Sequence, residues 1–352
     1  MFGWFRSSDD WGDVPKALGV QVDGRGLLHG FWGGVELLGS HATERETVNE
    51  DGQQVERDYK VTWFYARFDP KLRLGLSIAA DNALSRFIQW VRSNRDVEIG
   101  DPGFDKVFHV ASREPAAARS LLKGAVATEL VRARARHSIV TVNDEELCVT
   151  EAGWVVAPAT VASAFEVVGR SAAAILSSRR GLVLPWEVEL RERWASALSA
   201  LGLSFDPVRL DGRGVIDGMF VTVEVDGGAT LATVVTVTAP APFARGLRVF
   251  HQEQGAVSRW FRGQDIVVGD PSFDDAFVVK GEDEAEVRAV LSGDAAFRLA
   301  QLSHGGAVTI ENNTLTVRSS KLEIALVGAM VEACVGAATA MVARAPSGAY
   351  RG

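Results

Sequence analysis

A fourteen-residue motif occurs twice in this chain of 352 residues. The first copy starts at Val97 and reads V-E-I-G-D-P-G-F-D-K-V-F-H-V; the second starts at Ile266 and reads I-V-V-G-D-P-S-F-D-D-A-F-V-V. Seven of the fourteen positions are identical at an offset of 169 residues. Similarity at a fixed offset is the sequence signature of a repeated structural unit. The repeat is therefore the feature that most constrains the fold, because both halves of the chain should form the same module.

The match continues downstream of the motif. Four further positions recur at the same offset, namely Arg119 with Arg288, Leu122 with Leu291, Gly124 with Gly293 and Leu130 with Leu299. After a slip of one residue, Leu147 and Val149 match Leu315 and Val317. The duplication therefore extends well beyond a short motif.

A second landmark lies upstream, where Asp23-Gly-Arg-Gly, followed by Gly30, resembles Asp211-Gly-Arg-Gly, followed by Gly218. This repetition predicts a turn between a helix and a strand. The offset here is 188 residues, and 188 minus 169 leaves 19 additional residues in copy one. We assign them to the charged stretch from His41 to Lys60, which we expect to form a solvated hairpin tip or loop.

These matches predict five segments along the chain. They are an N-terminal aromatic segment (residues 1–9), copy one (10–180), a linker (181–189), copy two (190–345) and a tail (346–352). The linker contains charges, a glycine and a proline, a composition typical of connecting segments.

Each copy is predicted to be an α+β module with an antiparallel sheet. Strands with partly alternating polarity are separated by turn residues, a helix follows the G-D-P-x-F-D turn, and a hairpin comes next. A long Ala-rich helix closes each copy. Hairpin-connected strands do not fit a parallel βαβ architecture. The predicted fold is therefore a tandem duplication of this module.

The repeated motif is interpreted as a structural turn lock. Aspartate before proline can bond nearby backbone amides, the phenylalanines can anchor the turn in the core, and an Asp–Arg pair could fix the turn against the following helix. The residues assigned to the lock are Asp101, Phe104, Asp105, Phe108 and Arg119 in copy one, and Asp270, Phe273, Asp274, Phe277 and Arg288 in copy two. The alternative is an acidic site for a divalent cation. Calcium takes six to eight oxygen ligands, whereas each motif offers two carboxylates.

The motif and its surroundings resemble a bacterial protein family of unknown function. The resemblance lies in an F-(D/E)-x-x-F-x-V segment, a helix bearing A-R-x-x-L and a following hairpin. Copy one matches this pattern at Phe104-Asp105, Phe108, Val110, Ala118-Arg119 and Leu122. Copy two matches it from Phe273 to Val279, at Arg288 and Leu291 and in the hairpin that ends at Val317. The resemblance covers about 50 residues per copy and implies module boundaries and no activity.

Composition and motifs limit the classes of partner and cofactor. The net charge is −8 and the sequence pI is near 5.4, which disfavours nucleic acid as a partner. Cys148 and Cys334 form no CxxC pair, so neither a disulfide scaffold nor a thiolate zinc site is expected, and we predict a cytoplasmic protein. The sequence contains no HExxH, G-x-S-x-G or phosphate-loop motif, and no cofactor or metal is predicted.

One segment leaves membrane association open. Residues Ala325 to Ala343 contain a single charge, Glu332, over 19 residues. A buried core helix is favoured over a membrane span, because the segment is of borderline length and rich in Ala and Gly.

The sequence thus predicts a non-catalytic binding or scaffolding protein built from two pseudo-symmetric modules. Its partner would be a protein or a small apolar ligand. Two alternatives are a peripheral membrane or envelope-associated protein and an enzyme with an unrecognised site.

Overall fold

A computed structural model describes residues 11–50, 53–80, 97–137, 139–227, 230–251 and 265–345. The predicted N-terminal aromatic segment and C-terminal tail lie outside these ranges. The chain divides into two compact units between Leu184 and Pro185, and the short segment 227–229 groups with the first unit.

Unit one combines an antiparallel sheet with helices. Its described strands are β1 Gln21–Val22, β2 Leu28–Trp32, β3 Val35–Glu50, β4 Gln53–Arg67, β5 Ser77–Ala80, β6 Phe108–Ala111, β7 Ile139–Asn143 and β8 Glu146–Ala152. Its described helices are α1 Val14–Leu18, α2 Pro102–Asp105, α3 Pro115–Leu121, α4 Ala125–Arg136 and α5 Pro158–Arg180.

Unit two repeats this order of elements. Its described strands are β9 Ser204–Asp206, β10 Asp211–Ile216, β11 Met219–Asp226, β12 Ala232–Thr238, β13 Arg248–His251, β14 Phe277–Lys280, β15 Gly306–Glu311 and β16 Thr314–Ser319. Its described helices are α6 Pro185–Ala200, α7 Pro271–Ala276, α8 Glu284–Leu291, α9 Asp294–Gly305 and α10 Val327–Val342, preceded by a 3-10 turn at Ile324–Leu326.

The two sheets have the same topology. The strand order is β1-β2-β3-β4-β8-β7-β5-β6 in unit one and β9-β10-β11-β12-β16-β15-β13-β14 in unit two, with antiparallel pairing throughout. The predicted α+β fold with two similar modules is confirmed.

The core of each unit lies between one face of its sheet and the closing helix. On β11, Val221, Val223 and Val225 are buried while the residues between them are not, as the two-residue period of a strand dictates. Helix α10 packs on β12 and β16, and helix α5 packs on β2, β3, β4 and β8. Each Ala-rich helix therefore covers the centre of its own sheet.

Both units fix the entry to the sheet with a buried tryptophan. Trp11 and Trp194 are fully buried, and each indole Nε1 donates to a backbone carbonyl, that of Gly26 at 2.9 Å and that of Leu210 at 3.1 Å. A buried indole needs such an acceptor. The two copies meet this need in the same way.

The Asp-Gly-Arg-Gly landmark does not mark equivalent positions. In unit one it forms a turn, in which Asp23 Oδ1 accepts from the backbone N–H of Arg25 and Leu27. In unit two the same letters lie in strand β10, so the predicted turn is wrong for copy two. The β2–β3 and β10–β11 turns align Gly30 with Gly214 and not with Gly218. The alignment of the two copies on these identical letters therefore differs by four residues from their structural alignment.

The charged insert of copy one belongs to a hairpin, which is one of the two predicted forms, and not to a loop. The hairpin of β3 and β4 has strands of 16 and 15 residues, against 8 and 7 in β11 and β12. The prediction of a solvated stretch is wrong at its start, because His41 is 5% exposed and stacks on Trp11 at 4.0 Å. Residues 51 and 52 lie outside the described ranges.

The predicted linker is also too long. Helix α6 begins at Pro185, and Glu187 within it is buried. Residues 185–189 therefore belong to unit two. Proline favours the first turn of a helix, where its missing N–H is not needed, and here it marks a helix start where the sequence suggested a linker.

We expect Gly24 and Gly212, the glycines that follow the aspartate in the two Asp-Gly-Arg-Gly landmarks, to respond differently to substitution. A Cβ at position 212 would lie 2.7 Å from Cδ1 of the fully buried Leu198, whereas a Cβ at position 24 would meet nothing within 4 Å. Gly212→Ala should lower the free energy of unfolding by about 1–3 kcal/mol through overpacking. Gly24→Ala should change it by no more than roughly 0.5 kcal/mol. Equal effects in urea denaturation would contradict the packing of β10 on α6.

Candidate functional site

Asp101 and Asp270 cap the short helices that follow the Gly-Asp-Pro turns. Asp101 Oδ1 accepts from Gly103 N at 2.9 Å and Phe104 N at 3.2 Å, and Asp270 Oδ1 accepts equivalently from two N–H groups at 3.0 and 3.1 Å. The first N–H groups of a helix lack partners within the helix, and an aspartate side chain satisfies them. These two aspartates thus start α2 and α7.

Asp105 and Asp274 bind the loop that precedes the motif. Asp105 accepts from the backbone N–H groups of Ile99 and Gly100, both at 3.0 Å. Asp274 accepts from those of Val268 and Gly269, both at 2.9 Å. Each carboxylate uses both oxygens and ties the chain before the turn to the helix after it.

The predicted Asp–Arg ion pair is wrong. Arg119 Nε donates to the carbonyl of Glu98 at 3.0 Å, and Arg288 Nε donates to that of Val267 at 2.8 Å. The arginine and the aspartate of each copy therefore bind the carbonyl and the N–H of the same peptide group, the one between residues 98 and 99 in unit one and between 267 and 268 in unit two. The lock acts through the main chain.

The four phenylalanines of the motif lie in the core in pairs. Phe104 and Phe108 have ring centroids 4.8 Å apart, and so do Phe273 and Phe277, all at most 4% exposed. Within the described ranges, no group of three or more His, Cys, Asp or Glu side chains could hold a metal ion. The motif residues thus form packing and backbone contacts, and the more distinctive chemistry lies elsewhere in unit two.

A cavity of about 510 Å³ opens in unit two, between helices α9 and α10 and the ends of β12 and β16. Small-molecule sites typically measure about 300–1,000 Å³. Apolar side chains make up much of its wall, namely Leu302, Val317, Leu326, Ala329 and Met330.

Seven of the residues that line this cavity are polar. They are Thr233, Gln301, His304, Ser319, Ser320, Lys321 and Glu323. Lys321 and Glu323 form an ion pair. The Ser319 hydroxyl accepts from Thr233 N at 2.9 Å and donates to the carbonyl of Lys321 at 2.6 Å.

The corresponding place in unit one can be found from strand register. In unit one, Thr150 on β8 pairs with Trp63 on β4 and with Ile139 on β7. In unit two, Arg318 on β16 pairs in the same way with Val234 on β12 and with Ala307 on β15. Counting from these pairs, Thr62 corresponds to Thr233 and Glu151 to Ser319. His137 is the first residue after helix α4, and in unit two the junction of α9 with β15 carries Gly305 and Gly306.

The two units fill this place differently. In unit one, His137 is 7% exposed and its Nδ1 is hydrogen-bonded to the carboxylate of Glu151. In unit two, Ser319 stands in place of Glu151 and the junction between helix and strand carries glycine, and both Gly305 and Ser319 line the cavity. A Cβ at Gly305 would meet nothing within 4 Å. Smaller residues at this junction are therefore the local reason for the open space.

The two threonines show the same divergence. In unit one, the Thr62 hydroxyl donates to the carbonyl of Gly153 and accepts from Val155 N, both at 2.8 Å. In unit two, Thr233 is 2% exposed, and within the described part of the chain its Oγ1 has no hydrogen-bond partner. The same side chain is thus satisfied in the closed unit and unsatisfied in the open one.

The long Ala-rich helices also meet a membrane criterion. Pro158–Arg180 and Ile324–Val342 are long and apolar enough to cross a membrane, with mean hydropathy of 1.3 and 1.8 and with 50% and 39% of the most apolar window buried. The inner face of α10, including Val331, Cys334 and Ala338, packs in the core of unit two. The interpretation of this segment as a core helix remains a prediction.

Comparison with known proteins gives one distant neighbour. No protein-family profile and no curated protein matches the chain. Among solved structures, the chain is similar to the crystal structure of the mycobacterial trehalose monomycolate transport factor A, TtfA, with 13% sequence identity and a TM-score of 0.30. The match covers 45% of this chain and 96% of that chain.

The sequence did not reveal the cavity. The one-residue slip between the motif and the hairpin hides the correspondence of Glu151 with Ser319. A comparison of the two copies at the corrected register would have shown histidine and glutamate near this place in one copy and glycine and serine in the other.

We expect Asp274→Asn to lower the free energy of unfolding by about 1–2 kcal/mol, because an amide has one acceptor oxygen in place of two and presents N–H to an N–H donor. Asp275 is exposed, and Asp275→Asn is the matched control on the next residue, with an expected change within roughly 0.5 kcal/mol. Urea denaturation of both variants measures the difference. An unchanged free energy of unfolding in Asp274→Asn would show that these hydrogen bonds do not stabilise the loop.

Proposed function

We propose that this protein is a non-catalytic binding protein that holds a small, mostly apolar molecule in the cavity of unit two. The observation that carries the proposal is the contrast between the copies. The two units have the same topology. His137 and Glu151 occupy this part of unit one, whereas the corresponding part of unit two contains a cavity of about 510 Å³.

The composition of the cavity wall supports an apolar ligand body. Leu326 is 56% exposed, and Leu302 and Met330 add partly buried apolar surface. Removal of apolar surface from water contributes roughly 25 cal/mol per Å². A ligand that covers this wall gains binding free energy from that burial, and the polar groups set its orientation.

The long hairpin of unit one supports separate roles for the two units. The β3–β4 hairpin has no equivalent of that length in unit two. Unit one is in this proposal the scaffolding part, which could present the extended hairpin to a protein partner. Unit two is the ligand-binding part.

A graft of the unit-one residues into unit two tests the proposal. The double variant Gly305→His, Ser319→Glu should fill the cavity and weaken binding of the apolar fluorescent dye N-phenyl-naphthylamine by about tenfold or more, a loss of roughly 1.4 kcal/mol. Fluorescence titration of the full chain measures the dissociation constant. The control Gly305→Ala, Ser319→Thr keeps the residues small and should bind the dye like the wild type.

Two results would reject this function. One is wild-type protein that does not bind the dye. The other is a folded double variant, with an unchanged circular dichroism spectrum, that binds it as tightly as the wild type. Mass spectrometry of small molecules that copurify with wild type and not with the graft would identify the natural occupant.

Peripheral membrane association is the second candidate function, favoured by the apolar segment Ile324–Val342. If its outer face contacts lipid, wild-type protein should float with vesicles of neutral or anionic lipid. Thr339→Asp places a charge at an exposed position of α10 and should abolish flotation without unfolding the protein. Protein that stays at the bottom of the gradient with both vesicle types contradicts this function.

A further inference from the structure

The unpaired hydroxyl of Thr233 distinguishes the cavity from a simple packing defect. A side chain that is 2% exposed normally has its polar atom hydrogen-bonded, yet Oγ1 of Thr233 has no partner among the residues that the structure describes. The nearby Ser319 hydroxyl is already engaged, since it accepts from Thr233 N and donates to the carbonyl of Lys321. A molecule in the cavity is thus a candidate partner for this Oγ1.

The fold places this hydroxyl on the cavity side of the sheet. Thr233 lies on β12 in the same alternation as Val235 and Val237, which are buried in the core. Thr233 itself lines the cavity beside Val317 and Ser319. A ligand whose apolar body covers Val317 would thus have a polar atom within reach of the threonine.

The charges around the cavity nearly balance. Lys321 in the wall is ion-paired with Glu323. The carboxyl end of α9, at Gly305, carries partial negative charge, and the amino end of α10, at Leu326 and Ala329, carries partial positive charge. The wall therefore offers no net positive charge to hold a carboxylate, whereas a neutral polar group needs none.

We propose that Thr233 is a specificity residue that selects ligands with an apolar body and one neutral hydrogen-bonding group, such as a hydroxyl, an amide or a carbonyl. This inference rests on the proposed function, because it names the ligand class of the same cavity. Thr62, in the corresponding position of unit one, has no such role since its hydroxyl is bonded within the chain.

Three probes of similar shape separate the head groups. Naphthol carries a neutral hydroxyl, methylnaphthalene carries a methyl group in its place, and naphthoate carries an anionic carboxylate. Their affinities for the full chain are measured by displacement of N-phenyl-naphthylamine. The wild type should bind naphthol roughly five- to tenfold more tightly than methylnaphthalene, as expected for one additional hydrogen bond, and naphthoate most weakly.

The variant Thr233→Val removes the hydroxyl and keeps the shape of the side chain. It should bind naphthol and methylnaphthalene equally, while its affinity for methylnaphthalene stays at the wild-type value or rises. Thr233→Ser keeps a hydroxyl and should retain the preference. Thr62→Val should also retain it, and it should melt at a lower temperature because the backbone groups of Gly153 and Val155 lose their partner.

The outcomes separate this inference from the proposed function. A preference for naphthol that survives Thr233→Val overturns the role of the threonine, and tightest binding of naphthoate overturns the neutral head group. In both cases the cavity remains a binding site. Failure of the wild type to bind the dye or any of the probes overturns the proposed function itself.

Discussion

The pairing of β4 with β8 in unit one, and of β12 with β16 in unit two, holds each module together. In both sheets these are the strands through which the first four strands meet the last four. Forming such contacts between distant parts of the chain costs conformational entropy, because it closes a long loop. The Ala-rich helix that closes each unit packs across this same pairing, and the cavity of unit two lies at one end of it.

Much of the fold could be predicted from the sequence because the repeat tests each pattern twice. The Gly-Asp-Pro turn, the following helix, the hairpin and the closing helix are present in both units. The motif aspartates bind backbone amides because a carboxylate next to a turn finds unpaired N–H groups nearby. These hydrogen bonds depend only on local geometry, which the sequence specifies well.

The remaining features depend on partners that are distant in the sequence. Arg119 binds the carbonyl of Glu98 and not a carboxylate, because the fold brings a main-chain group within reach first. The letters Asp-Gly-Arg-Gly form a turn in one unit and a strand in the other, where Leu198 packs on Gly212. The cavity depends on residues such as Ser319, whose neighbours lie on other elements, so no local pattern could predict it.

The two threonines differ in the hydrogen bonding of their hydroxyls. Thr62 closes its hydrogen bonds within unit one, whereas Thr233 keeps its hydroxyl for the cavity of unit two under the proposed function. A molecule that binds a native cavity stabilises the native state by mass action, in proportion to the logarithm of its free concentration. The melting temperature of the protein would then report how much of such a molecule its surroundings contain.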